Sequence, residues 1–236
     1  EYASQGYIAV SIDHTYGSLA TVFESGPVYL NREALPPRET TPNFLEYANT
    51  LVNVYGDDVI STIDYLETMH EDVNNPFYGR LALEHITAIG HSTGGGGIVS
   101  AALKDDRIDG IIGLDAWVES IELTRLLEGL TIPALFLRSG AWEISFNNER
   151  LYELVQSSQF SHLYQMNGTT HYDFAMVYMY SPFTGILGIT GEVDGKRVNQ
   201  ILEEVSLDFI HDISREVVYA PNFETYEELE EVVFAS

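Results

Sequence analysis

The chain has 236 residues, 45% of them apolar, and its 36 acidic against 11 basic side chains leave a net charge of −25. That size and composition suit one globular domain with a substantial core and exclude a disordered chain. The charge excludes nucleic acid and anionic membrane as partners, and no apolar run approaches the about 20 residues of a membrane-spanning helix.

The sequence contains no cysteine, which excludes disulfides, thiolate catalysis and cysteine-ligated zinc. The acidic surface has two readings. One is ordinary solubility; the other is adaptation to high salt, where a Debye length of about 3 Å at 1 M screens self-repulsion. The start at Glu1 shows neither a charged n-region nor an apolar h-region. A strand expected within six residues of it predicts a chain cut inside a domain. Neither compartment nor oligomeric state is legible.

Gly6–Asp13 is apolar and β-branched after a glycine, and predicts a buried strand. Residues 14–42 hold glycines and prolines without periodicity and predict a long loop. From Phe44 to Met69, Leu51, Val52, Tyr55, Val59, Ile63 and Leu66 recur at helical spacing, which predicts an amphipathic helix bent near Gly56. Strands are then expected at His85–Gly90, Ile108–Leu114, Ile132–Leu137 and Ser161–Gln165. Helices are expected at Thr93–Leu103, Asn147–Gln156 and Val198–Ile213, and the acidic tail after Val217 reads as irregular. Strands alternating with helices imply an α/β fold: a mostly parallel sheet with helices on both faces.

Gly90-His91-Ser92-Thr93-Gly94 is a G-x-S-x-G pentapeptide between an expected strand and an expected helix. That context is the nucleophile elbow of the α/β-hydrolase fold. A side chain at Gly90 or Gly94 would collide with a neighbouring strand or helix. Ser92 is pushed out above the sheet edge, and the Thr93 N–H points at a developing oxyanion. The alternative is a glycine-rich turn with an idle serine. The glycines lack the Gly-Lys-Ser/Thr ending of a phosphate-binding loop.

A serine hydroxyl needs a base. Of the histidines well downstream, His162 begins a strand and His211 sits on the last helix. His171 follows a strand and the polar loop Asn167–Thr170, at the edge where open α/β sheets bind ligands. The acid has two candidates. Asp115 ends an apolar strand, where a carboxylate is costly unless paired; Glu143 follows the next strand. Asp13 is an alternative with a structural role, as a turn anchor.

Gly90–Gly94, Gly113-Leu-Asp-Ala-Trp117 and Gly168-Thr-Thr-His171-Tyr-Asp-Phe174 resemble the platelet-activating factor acetylhydrolase family of α/β-hydrolases. The segments Ala3–His14 and Gly188–Arg197 are similar to it as well, so the likeness covers nearly the whole chain. It implies Asp115 as the acid and a single catalytic domain over residues 1–236. Family members carry a strand and a His-Gly oxyanion loop upstream of the segment that opens this chain. The resemblance therefore implies an N-terminally truncated α/β-hydrolase fold, with its first strands and second oxyanion donor missing.

The expected activity is a serine carboxylic ester hydrolase acting through an acyl-enzyme on short-acyl esters, with platelet-activating-factor-like or short-chain phospholipids among them. The expected machinery is Ser92, Asp115 and His171, with Thr93 in the oxyanion hole. No metal or organic cofactor is required. The partner is a small-molecule or lipid ester. His91, Trp117 and Phe174 are candidate pocket residues, with core packing the alternative for the aromatics. Two rivals stand beside this reading: a lipase or cutinase-like polyester hydrolase using Glu143, and a non-catalytic binding protein on the same fold.

Overall fold

The computed structural model describes residues 2–142 and 144–234. In chain order its elements are a hairpin of β1 (Ala20–Phe23) and β2 (Gly26–Tyr29), then α1 (Phe44–Glu71), β3 (Thr87–His91), α2 (Thr93–Ala102) and β4 (Gly110–Leu114). These are followed by α3 (Leu123–Leu126), β5 (Ala134–Ser139), α4 (Ser145–Ser157), β6 (Ser161–Met166), α5 (Gly195–Ser214) and β7 (Leu229–Glu231). The main sheet has the order β3-β4-β5-β6-β7. β3 to β6 run parallel, and β7 closes the far edge antiparallel to β6.

Alternation along the strands divides the core in two. Ile111, Phe136 and Leu163 face α1, α2 and α4, where they meet Val52, Ile63, Ile98, Val99, Leu151 and Leu154. Their neighbours Ile112, Leu135, Leu137 and Tyr164 face α5, against Val198, Ile201, Leu202, Val205 and Phe209. Both faces are therefore covered, as a parallel sheet requires. The helix over 44–71 runs without a break through Gly56. That glycine serves close approach rather than a bend, since a Cβ there would sit 3.0 Å from the Gly97 carbonyl oxygen of α2. Among the described residues, no helix is long and apolar enough to cross a membrane.

Three further expectations change. Gly6–Asp13 forms no strand: Gly6 lies in a turn, residues 7–13 have no regular structure, and Ile8 and Val10 are about half exposed (52% and 51%). A strand exists by its hydrogen-bonded neighbour, and apolar content cannot supply one. Grooves of about 410 and 380 Å³ separate this segment from the stretch leading into β3 and from β3 itself, so β3 remains the sheet's edge. The expected loop 14–42 contains the β1–β2 hairpin. The tail is partly ordered by packing: Tyr219 and Phe223 are buried against the α5 side, and β7 pairs with β6.

One close backbone contact lies between α2 and the chain leaving β4. A Cβ on Gly96 would stand 2.2 Å from the Trp117 carbonyl oxygen, and backbone cannot yield there as a side chain can. Gly96→Ala is therefore expected to destabilise the protein by about 1–3 kcal/mol, the usual penalty of overpacking. A urea unfolding midpoint equal to that of the parent would refute this account of the contact.

Candidate active site

β3 and β4 are adjacent and parallel, so their C-terminal ends reach the same edge of the sheet. Each ends in a non-glycine residue with positive φ: Ser92 (φ 57°) after β3 and Asp115 (φ 41°) after β4. Such conformations cost on the order of 1–3 kcal/mol and persist only where the surroundings impose them. Here backbone bonds impose them. Ser92 N–H donates to Leu114 O (2.9 Å), Trp117 N–H to Ser92 O (3.0 Å), and Asp115 N–H to Leu137 O (2.8 Å). Ser92 caps α2, and a Cβ on Gly90 would meet the Gly94 carbonyl oxygen at 2.3 Å, so the turn into the helix admits only glycine at 90. Gly94, in contrast to the expectation, has open space where its Cβ would be. The close approaches belong to the glycines that follow it.

His171 bridges the two residues. Its Nε2 lies 3.0 Å from Ser92 Oγ and its Nδ1 lies 3.0 Å from Asp115 Oδ2. Asp115 is fully buried, and its carboxylate is satisfied on both oxygens. Ser139 N–H donates to Oδ1 (2.7 Å) and Ser139 Oγ donates to Oδ2 (2.6 Å). Ser139, at the end of β5, went unremarked in the sequence, where it is one serine among many. Only strand order brings it beside Asp115. Asn147, also fully buried, holds the backbone past Asp115. Its amide oxygen accepts from Val118 and Glu119 N–H and its amide nitrogen donates to Ala116 O.

The loop carrying His171 is pinned by Asp173. Its Oδ2 accepts from Thr170 N–H (2.7 Å), Thr170 Oγ1 (3.1 Å) and Gly191 N–H (2.8 Å). The imidazole faces are covered as well. Trp142 stacks on one (centroids 4.0 Å apart, planes 15° apart) and the tilted ring of His91 lies against another (4.3 Å, 36°). His171 keeps 21% of its side chain exposed.

The remaining candidates separate. Thr93 opens α2, so its N–H is among the leading amides that a helix leaves without an intrahelical acceptor. Trp117 and Phe174, expected at the pocket, are core residues instead, 7% and 4% exposed. Trp117 packs near Phe44 and donates its Nε1–H to buried Glu119 (2.7 Å), which also pairs with Arg38. Phe174 joins the α5 cluster. Sequence position next to a site residue did not reveal which way either ring points. His162 meets Tyr219 and Glu231, and His211 lies near Tyr7, both away from Ser92. Asp13 is exposed. Glu143, the rival acid, lies outside the described residues. Among the described residues, His91, Asp115 and His171 bring donor atoms within 4.8 Å of one another. The Asp115 and His171 atoms are already engaged with each other, Ser92 and Ser139, so hydrogen bonding accounts for the cluster without a metal.

Burial, then the neighbouring His171, pull the His91 imidazole down from 6.5 to about 4. The unfolded chain accepts a proton at this position between those two values and the folded chain refuses it. Stability is therefore lost as pH falls from about 6.5 towards 4, by on the order of 3 kcal/mol. Urea midpoints at pH 7 and pH 4.5 are expected to drop more for the parent than for His91→Phe; equal drops would remove His91 as a source of acid sensitivity.

The fold has known counterparts. A family model described as "Platelet-activating factor acetylhydrolase, isoform II" matches residues 56–230. No curated protein matches the sequence. Among solved structures the chain is similar to a ferulic acid esterase from Streptomyces cinnamoneus, with 17% identity over 94% of this chain and a TM-score of 0.70. It spans 64% of the length of that neighbour, and at this identity the likeness is one of fold. The family match covers the elbow, the end of β4 and the His171 loop. The chain belongs to the platelet-activating factor acetylhydrolase, isoform II family, with an α/β-hydrolase fold.

Proposed function

We propose that this chain is a serine carboxylic ester hydrolase that acts through an acyl-enzyme, with Ser92 as nucleophile, His171 as general base and acid, and Asp115 as the group that orients His171. The observation that carries the reading is the continuous relay Ser92 Oγ–His171–Asp115, with both links at 3.0 Å.

The chemistry follows from the geometry. His171 Nε2 removes the Ser92 proton as Oγ attacks the ester carbonyl. The resulting oxyanion is met by the Thr93 N–H, at the positive end of α2. Buried Asp115 accepts from Nδ1–H, fixes the tautomer and stabilises the imidazolium. His171 then gives its proton to the departing alkoxide, which leaves as the alcohol. Water, deprotonated by the same nitrogen, attacks the acyl-enzyme and releases the carboxylic acid and free Ser92. Ser139 holds the carboxylate in place and leaves it one strong acceptor direction towards His171.

For the substrate we propose short-acyl esters, with short-chain phospholipids of the platelet-activating-factor type as the favoured class. The surface beside His171 supports the lipid reading. No charged residue occurs between Asp173 and Glu192, in a chain with a net charge of −25. Within and next to that stretch, Tyr172, Met179, Tyr180, Phe183, Ile186 and Leu187 are exposed. An exposed apolar patch bordering a site suits an apolar or lipidic ligand better than a charged one.

The first test is intact-mass analysis after treatment with a fluorophosphonate. One adduct is expected on the parent and none on Ser92→Ala; a folded parent without adduct would reject the hydrolase reading. Asp115→Asn is expected to lower turnover of a short-acyl ester by about 10⁴, the loss seen when an orienting carboxylate is neutralised. Ser139→Ala, which removes one of the donors that hold Asp115, should cost far less, on the order of tenfold. Similar losses in the two variants would count against Asp115 as the acid.

A further inference from the structure

We propose that Trp142 and His91 are positioning residues for His171, clamping the two faces of its imidazole so that its edge stays in line with both Ser92 and Asp115. The inference rests on the hydrolase reading above and assigns to two rings a role that the Ser–His–Asp relay does not include.

The relay secures only the rim of the imidazole. Two hydrogen bonds, one to each nitrogen, set where those atoms lie, and rotation of the ring about its bond to Cβ would weaken both. Face contacts oppose that rotation. The indole of Trp142 provides one at 4.0 Å and 15°, and the imidazole of His91 provides another at 4.3 Å and 36°. Tyr172, on the loop of His171 itself, touches only edge-on at 5.9 Å.

Both clamping rings are themselves held by the site's framework. Trp142 ends the turn that begins at Ser139, with its N–H donating to Ser139 O (3.1 Å) and its carbonyl accepting from Asn148 Nδ2 (3.4 Å). The neighbouring Ala141 N–H donates to Thr169 O (3.1 Å), which ties this turn to the His171 loop. The same turn therefore holds the Asp115 carboxylate and delivers the indole. His91 ends β3 immediately before Ser92. Trp142 Nε1 and His91 Nε2 are buried and have no hydrogen-bond partner among the described residues.

The groups around His171 also fit its change of charge. Asp115 faces Nδ1 from the end of β4, the Ser92 hydroxyl faces Nε2, and His91, Trp142 and Tyr172 complete the surroundings. Accepting the Ser92 proton turns the imidazole into an imidazolium. The indole face attracts a cation laid against it. Burial keeps His91 neutral, so no second positive charge opposes the first. The clamp thus holds the ring in both states and favours the charged one when it arises.

The test is the rate constant for fluorophosphonate labelling of Ser92 as a function of pH, for the parent, Trp142→Phe and Trp142→Leu, with melting temperatures alongside. Trp142→Leu keeps apolar bulk but lacks an aromatic face. It is expected to lower the alkaline plateau between ten- and a hundredfold and to move the midpoint of the acid limb down by roughly half to one pH unit. Trp142→Phe is expected to retain most of both. On a short-acyl ester, Trp142→Leu should lower kcat with little change in KM. If Trp142→Leu does not fold, Trp142→Met supplies the same comparison. A labelled parent with an unchanged plateau and midpoint in Trp142→Leu would overturn the clamp alone, as would equal losses in the Phe and Leu variants. A folded parent that takes no label would overturn the hydrolase reading and the clamp with it.

Discussion

The structure turns on the junction of β3 and β4 at one edge of the sheet. Two backbone bonds, Ser92 N–H to Leu114 O and Trp117 N–H to Ser92 O, join the chain leaving one strand to the chain leaving the other. They hold Ser92 and Asp115 in left-handed conformations that neither residue would choose alone. The glycines after Ser92 let α2 settle onto this junction, and Gly96 brings helix backbone against the Trp117 carbonyl. Strain at the edge is thereby balanced by close packing just beneath it.

Around that junction, buried polar groups are arranged as supports. Asp115 would be costly in so dry a place, and Ser139 and His171 together satisfy it. Asn147 does the same for three backbone groups of the loop after Asp115. Asp173 ties the His171 loop to Gly191, ahead of α5. Separate segments therefore converge on one imidazole, and the buried Asn147 and Asp173 hold theirs mostly through backbone partners. Backbone partners move less than side chains, which is what a site accurate to fractions of an ångström requires.

With so few basic residues, the chain uses its cations as ties between elements. Arg107 joins Asp64 and Glu67 of α1 to Asp105 in the loop before β4. Lys104 reaches Asp57, Arg197 reaches Glu228 near β7, and Arg38 pairs with buried Glu119, fastening the N-terminal loop to the region behind Trp117. The remaining surface stays strongly negative, so the uncharged, apolar ledge after His171 stands out against it.

The sequence by itself determined the alternation of strands and helices, the elbow at Gly90–Gly94 and the histidine loop at 171. These are local matters of periodicity, glycine placement and polar loop composition, and each is complete within a short stretch of chain. It left Asp115 and Glu143 both open on their residues alone, with the cost of an unpaired carboxylate at an apolar strand end favouring Asp115, and resemblance strengthened that preference. The tertiary structure decided what depends on neighbours distant in the chain. Gly6–Asp13 has the composition of a strand but forms none, and Tyr219 and Phe223 lie in a polar tail but find a core. Trp117 and Phe174 turn inward, while Trp142 and Ser139, which nothing local distinguishes, come to lie against His171 and Asp115. Pairing, facing and stacking are relations between segments, set when the sheet orders β3 to β6 side by side, and no single stretch of sequence contains them.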